Sequence, residues 1–396
     1  MIWQLFANME RREVNLTASR ISISMYFFFF GFTFATWASR IPDMQQRLHL
    51  TETTLGAVLL AMPLGSFLTL PFPGYLSGKF GSRRMGFIAA VIYTLLLILI
   101  GFAPNVLLLT FFMFLFGSAG NIMNVAINTQ ALALEKLYKR VIISSFHGMW
   151  SIAGLAAAAL GTYLTGKVFP VAYHFLVVAL FSLIFFTAGL PLLLQEEPTK
   201  ATKRSLFTKP GKAFIGLGLI AFCSMICQGA MFDWSGVYFK KIVTSNPRYV
   251  GIGYTAFMMS MTFVRFITDW LTHRIGFTKI IISCGAFITS GLLINVFFPS
   301  ILPATIGMLL VGVGVSPAIP LVFSAAGKES ALSPAVAIAA VSSIGFIGNL
   351  IGPPIIGFIA GLSSLKMSFI YLSLFGVAIA VLAVLHQKQQ RHSNAV

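Results

Sequence analysis

Residues Gly74 to Arg84 read GYLSGKFGSRR, a short basic break between two long apolar runs, and residues Asp269 to Gly276 read DWLTHRIG after a second apolar run. Placed 195 positions apart, the two stretches align Leu76 with Leu271, Lys79 with Arg274 and Gly81 with Gly276. Ser144, Ser145 and Gly154 recur as Ser342, Ser343 and Gly352 at a spacing of 198, and Thr36-Trp37 stand against Asp233-Trp234 at 197. Three echoes at nearly one spacing mark an internal duplication.

The apolar runs around these echoes decide the class of protein. The chain has 396 residues, 57% of them hydrophobic and 9% charged, with 39 Phe. A soluble domain carries about a quarter charged residues, so soluble folds are excluded. Apolar runs and their breakers place spans at about 21–40, 53–77, 85–103, 106–133, 141–165, 173–194, 213–239, 250–271, 280–298, 303–326, 334–361 and 367–386. Twelve spans of about 20 residues leave room for short loops and no separate soluble domain. The polar stretch QEEPTKATKRSLFTKPGK falls after the sixth span. It divides the chain into an N-terminal six-helix half at 1–194, a cytoplasmic linker at 195–212 and a C-terminal six-helix half at 213–396. The expected fold is an all-α membrane protein of twelve transmembrane helices in two pseudo-symmetric halves.

Net charge is +17, which in a soluble chain would suggest nucleic acid. Here its placement argues for topology instead. With the N-terminus inside, nineteen Lys and Arg fall in cytoplasmic loops and tails and seven outside, namely Arg40, Arg47, Lys167, Lys240, Lys241, Arg248 and Lys366. That excess puts both termini in the cytoplasm. The first span is too long for a signal-peptide core and is expected to be retained. Three Cys within spans make neither a disulfide framework nor a metal site. A phosphate loop, a His-Glu-x-x-His pair and a Gly-x-Ser-x-Gly elbow are absent, so neither ATP, a metal, a cofactor nor an enzyme activity is expected.

The segment from Gly74 to Arg84 resembles the loop signature of the major facilitator superfamily, Gly-x-Leu-x-Asp-Arg-x-Gly-Arg-Lys. Gly74, Leu76, Lys79, Gly81 and Arg83 occupy its positions, and Gly78 replaces its Asp. Trp37-Ala-Ser-Arg-Ile-Pro42, Asn124-Val-Ala-Ile-Asn128, Ser144-Ser-Phe-His-Gly-Met-Trp-Ser151, Gly229-Ala-Met-Phe-Asp-Trp-Ser235 and Gly352-Pro-Pro354 resemble the fucose-permease-like and YbjJ-like bacterial branch. The resemblance implies alternating access between the two halves, with a solute site near the membrane midplane. It also implies gating by Gly74, Lys79, Gly81, Arg83, Arg84, Arg265 and Asp269. Acids common in similar transporters are replaced here by Asn124 and Gln228.

Polar residues inside spans must find partners or line water, so they are the functional candidates. Asn121, Asn124, Asn128 and Glu135 fall within a narrow stripe of about 60° on one helix face, and three amides suit a hydroxyl-rich solute. The alternative for the stripe is hydrogen bonding between helices; for Glu135, a gate or an ion pair with Lys136, Lys139 and Arg140. His147, Trp150, Ser151 and Gly154 share one face of the fifth span. His147 is a candidate proton carrier or a buried neutral imidazole, and Trp150 a platform for a ring. Asp233 is the one carboxylate set well inside a span, and is expected either to exchange protons or to pair with Arg40. Gln228 lies about 140° from it on a regular helix, and a break at Gly229 or Gly236 would bring both to a cavity. Trp37, Trp234 and Asn349 complete the expected solute site, and Arg265 with Asp269 at i, i+4 forms an expected ion pair.

The function these residues and the resemblance together imply is secondary transport of a small polar solute, sugar or sugar-like, with protons, by a monomer surrounded by lipid in a bacterial inner membrane. Alternatives are a proton-antiporting drug or metabolite exporter and a non-transporting membrane sensor.

Overall fold

A computed structural model describes residues 15–139, 142–195, 212–328 and 334–393. Most of the expected linker and the cations Arg11, Arg12, Arg140, Lys200, Lys203, Arg204 and Lys209 lie outside the described residues. Within a bilayer, backbone groups must be satisfied inside each segment, and the chain answers with helices: α1 Leu16–Ser39, α2 Ile41–Arg47, α3 Glu52–Leu68, α4 Phe72–Phe80, α5 Ser82–Phe102, α6 Val106–Tyr138, α7 Ile143–Gly166 and α8 Val171–Gly189. After these come α9 Lys212–Tyr238, α10 Pro247–Val250, α11 Ile252–Ile275, α12 Phe277–Phe297, α13 Ile301–Lys328, α14 Pro334–Leu362 and α15 Leu365–Ser393. Among the described residues eleven helices are long and apolar enough to cross a membrane, and α3 with α4, bent by 52°, makes a twelfth when taken as one span.

The second span is therefore not the straight 53–77 helix expected. Pro71 lies in the break and Pro73 in the first turn of α4, where missing amide donors interrupt the ladder. The stretch GYLSGKFGSRR is not a loop either: it is helical on both sides of a single residue, Gly81, at φ 82° and ψ 141°. Only glycine adopts that conformation without strain. Gly276 repeats it at φ 83° and ψ 157° between α11 and α12.

The described residues fall into two compact units, bounded at Met1–Trp37, Ala61–Ala157 and Pro170–Lys203 for one, and at Ala38–Leu60, Ala158–Phe169 and Arg204–Val396 for the other. In the first unit α5 packs on α6 and α8, and Tyr93 stacks on Phe116 with ring centroids 4.0 Å apart. The Tyr26 hydroxyl donates to Phe186 O at 2.8 Å, so a buried polar tip is satisfied across helices. In the second unit α9 packs on α13, α14 and α15, and α12 on α13 and α15. Tyr238 there stacks on Phe369 and donates to Asn295 O at 2.7 Å. The second unit also takes in α2, the start of α3 and the end of α7, which precede the sequence midpoint. Contacts, not chain order, set its boundary.

Candidate functional site

The expected residues divide between the two units. In the first unit, Asn121 Nδ2 donates to Ser66 O at 3.1 Å and Thr69 Oγ1 at 3.3 Å. This end of the stripe joins α6 to the second span. One and two turns on, Asn128 Nδ2 donates to Asn124 O at 2.8 Å and Asn124 Oδ1 at 2.9 Å, and Asn124 is exposed. Among the described residues Asn124 Nδ2 and Asn128 Oδ1 have no protein partner, so this pair keeps donors and an acceptor open. His147 is exposed with its ring edge-on to Phe27 at 5.2 Å, and Trp150 is half-buried and stacked on Phe34. Trp37 is 1% exposed and packs against Phe175, which is a core position and not a cavity wall.

Several expected gating residues have local partners. Glu135 Oε2 accepts from Ile142 N at 2.8 Å and Ile143 N at 3.0 Å, so it caps the start of α7 in place of pairing with Lys136 or Lys139. A helix start carries unsatisfied N–H groups that attract a carboxylate. Arg83 Nε donates to Leu190 O at 3.1 Å, where a short 3-10 turn Leu190–Leu192 ends the sixth span. Lys79 Nζ lies 5.7 Å and 5.3 Å from the ring centres of Tyr75 and Phe80 on its own helix. Arg84 is half-buried, and Gly74 is open on all sides. Arg265 is half-buried in α11; the side chain of Asp269 lies outside the described residues, and with it the expected pair.

In the second unit α9 carries the site. The helix is continuous from Lys212 to Tyr238 and gives way to one π turn at Phe239–Val243, so no break at Gly229 or Gly236 rotates Gln228 towards Asp233. Those glycines serve packing: Asn349 Oδ1 sits where a side chain on Gly229 would start, and Pro42 does the same at Gly236. Asn349 is thereby brought beside the backbone next to Gln228, whose Nε2 lies 3.9 Å from Met261 Sδ. Trp234 is fully buried, another core position. Asp233 is half-buried, and among the described residues it has no hydrogen-bond or ion-pair partner. The neighbouring Tyr254 is within reach of its charge, and the Tyr254 hydroxyl is buried without a partner.

The expected alternative for Asp233, a pair with Arg40, is replaced. Arg40 Nε is 2.6 Å from Asp43 Oδ2, and Arg40 also donates to Phe169 O. Asp43 takes a further bond from Thr165 Oγ1 at 3.1 Å and has Lys240 Nζ at 3.8 Å. Lys240 donates to Pro42 O at 3.2 Å and to Gln46, and Lys241 pairs with Glu52. These ion pairs tie α2 and the start of α3 to the π turn after α9. Sequence reading missed Asp43, Gln46, Glu52 and Tyr254. A signal existed: the connection between the first and second spans carries the carboxylates Asp43 and Glu52, and the adjacent cations Lys240 and Lys241 follow the seventh span.

The family model of the Major Facilitator Superfamily matches residues 23–334. An uncharacterized MFS-type transporter of Yersinia pestis is 31% identical over 368 residues, covering 92% of this chain and 95% of its own. Among solved structures, the nucleoside transporter NupG superposes with a TM-score of 0.75 at 14% identity over 94% of this chain and 100% of its own. A variant of the E. coli fucose:proton symporter FucP gives 0.61 at 15% identity over 92% and 98%. At such identities the structures speak for the fold alone. The chain belongs to the major facilitator superfamily, and is a multi-pass membrane transporter.

Proposed function

We propose that this transporter moves a small hydroxyl-rich solute, a sugar or sugar-like molecule, together with protons, in a bacterial inner membrane with both termini in the cytoplasm. The observation that carries the reading is Asp233, a carboxylate inside a spanning helix with no partner among the described residues. A charge in that position is costly unless it is used, and intramembrane carboxylates are the usual stations of proton relays. His147 is the second titratable group in the same reading. The amides of Asn124 and Asn128 supply the donors and acceptor that a sugar hydroxyl needs, and Trp150 offers the flat face.

The test starts with a thermal-stabilisation screen of sugars, nucleosides and organic acids, since a ligand of the folded state raises its apparent stability. With a hit in hand, Asp233→Asn in sealed vesicles should abolish accumulation driven by a proton gradient and leave counterflow exchange, which moves no net proton. Equal loss of both activities would assign Asp233 to binding or folding. Accumulation only in inverted vesicles would make the protein an exporter, and binding without any accumulation a sensor.

A further inference from the structure

We propose that the protein holds an anionic phospholipid in a groove at the outer ends of α7, α11 and α13, with the headgroup between Lys167 and Arg248 and an acyl chain beneath it. The groove lies wholly within the second compact unit and encloses about 580 Å³. Ala159, Thr162 and Tyr163 form one wall, Ile252, Thr255, Ala256 and Met259 the other, and Thr305 the back. Tyr163 and Met259 are 62% and 49% exposed, so the groove opens sideways onto the surface that faces lipid. From Ala159 to Lys167 it follows two turns of helix, about 12 Å along the axis.

Chemistry selects the occupant. Inside the groove the threonine hydroxyls are engaged: Thr162 Oγ1 donates to Ala158 O and lies 2.8 Å from Thr255 Oγ1, and Thr305 Oγ1 donates to Ile301 O. Of the lining hydroxyls only that of Tyr163, on the exposed rim, is left open, so a sugar or another polar solute would find a single spare donor, whereas an acyl chain needs none. At the mouth the situation is reversed. Lys167 and Arg248 are both exposed, and neither has a carboxylate within 4 Å among the described residues. Lys167 Nζ rests 5.8 Å from the centre of the Tyr163 ring, and the Arg248 stem lies against Gly166. Lys167 follows the last residue of α7 and Arg248 lies in the short α10 just before α11, positions at span ends where a long basic side chain keeps its stem on apolar surface and its charge in water. Two uncompensated cations over an apolar slot match an anionic amphiphile.

One wall of the groove comes from the first half of the chain and the other from the second, so the lipid would bridge α7 and α11 beside the Thr162–Thr255 contact. Bound there, it favours the arrangement in which these helix ends touch. This inference is independent of which solute is carried.

The test uses the full chain in detergent, with dioleoylphosphatidylglycerol and dioleoylphosphatidylcholine as probes, retained lipid read by native mass spectrometry and stability by thermal melting. Phosphatidylglycerol should be retained as one copy per chain and raise the Tm, and phosphatidylcholine should not. A cation near an anionic headgroup is worth about fivefold in affinity, so Lys167→Ala with Arg248→Ala should weaken retention by about 25-fold. Ala159→Phe, which fills the slot and keeps both charges, should also lower it, while Lys366→Ala and the charge-keeping Lys167→Arg should not. Glycerol phosphate, which has the headgroup and no acyl chain, should not displace the lipid. Equal retention of the two lipids, undiminished retention in the double variant, or displacement by glycerol phosphate would each overturn the proposal.

Discussion

Helices α5 and α12 are each 21 residues long, begin 195 positions apart and follow a glycine at φ 82° in one case and 83° in the other. The match extends to packing. A side chain on Gly117 would start 1.9 Å from Met62 O, and one on Gly312, 195 positions later, would start 2.5 Å from Phe257 O, itself 195 after Met62. Polar chemistry does not follow the same rule. At that spacing Asn124 and Asn128 meet Ile319 and Phe323, and Asp233 answers to Thr36 at a spacing of 197. Backbone contacts admit few substitutes, whereas a side chain facing open space can change without disturbing the fold. Duplication thus explains the scaffold, and divergence within it leaves amides in one half and the carboxylate in the other.

The sharpest departure from symmetry is at Asp43, whose counterpart at a spacing of 197 is Lys240; the two copies carry opposite charges and lie 3.8 Å apart. Asp43 also neutralises Arg40, whose side chain is 3% exposed. Asp43→Asn leaves that guanidinium buried without its countercharge and should cost about 3–5 kcal/mol in unfolding free energy. Adding Arg40→Met should recover much of it, because removing both charges removes the desolvation penalty. Lys241→Ala breaks only the more exposed pair with Glu52 and should cost about 1 kcal/mol or less. A melting experiment on the four proteins decides this, and equal losses for Asp43→Asn and Lys241→Ala would remove Asp43 from the centre of the network.

The symmetric part can be broken in the same way. Gly117→Val and Gly312→Val each push a side chain into a backbone carbonyl that cannot swing aside, so both should lose about 2–3 kcal/mol, the upper range for overpacking. Gly74→Ala meets nothing within 4 Å and should stay within about 0.5 kcal/mol of the parent. A Gly312→Val protein as stable as Gly74→Ala would end the equivalence of the two crossings.

Long apolar runs made the spans legible in the sequence, and the echo of Gly81 in Gly276 made the duplication legible, because both signals are local. The 52° bend in the second span is local as well, written in Pro71 and Pro73, yet hydropathy alone runs straight through it. Pairing is another matter. That Asp43 meets Lys240, or that Asn349 rests on Gly229, depends on which helices touch, and hydrophobic periodicity carries no such information. The same limit explains Trp37 and Trp234: an indole inside a span reads equally as cavity wall and as core, and burial places both in the core. Glu135 looked like a gate because cations surround it in sequence; the nearer amides of Ile142 and Ile143 took its charge.

The amide stripe of α6 gives the finest test, because its residues fall on both sides of the divide between scaffold and site. Asn121 donates to Ser66 O, and Ser316, 195 positions later, donates to Met261 O at 2.8 Å, the carbonyl 195 after Ser66. One hydrogen bond is therefore kept with two different side chains, which places Asn121 in the scaffold. Asn124 and Asn128 have no such counterpart and keep open bonding capacity. Asn124→Ala and Asn128→Ala should each weaken solute binding by about 1–2 kcal/mol, the value of a lost hydrogen bond, with little change in melting. Asn121→Ala and Ser316→Ala should do the reverse, lowering stability by about 1 kcal/mol and leaving affinity alone. Calorimetric titration and melting on the four variants separate the cases: if Asn121→Ala weakens binding as much as Asn124→Ala does, the stripe acts as one surface and the division between its scaffold and its site is wrong.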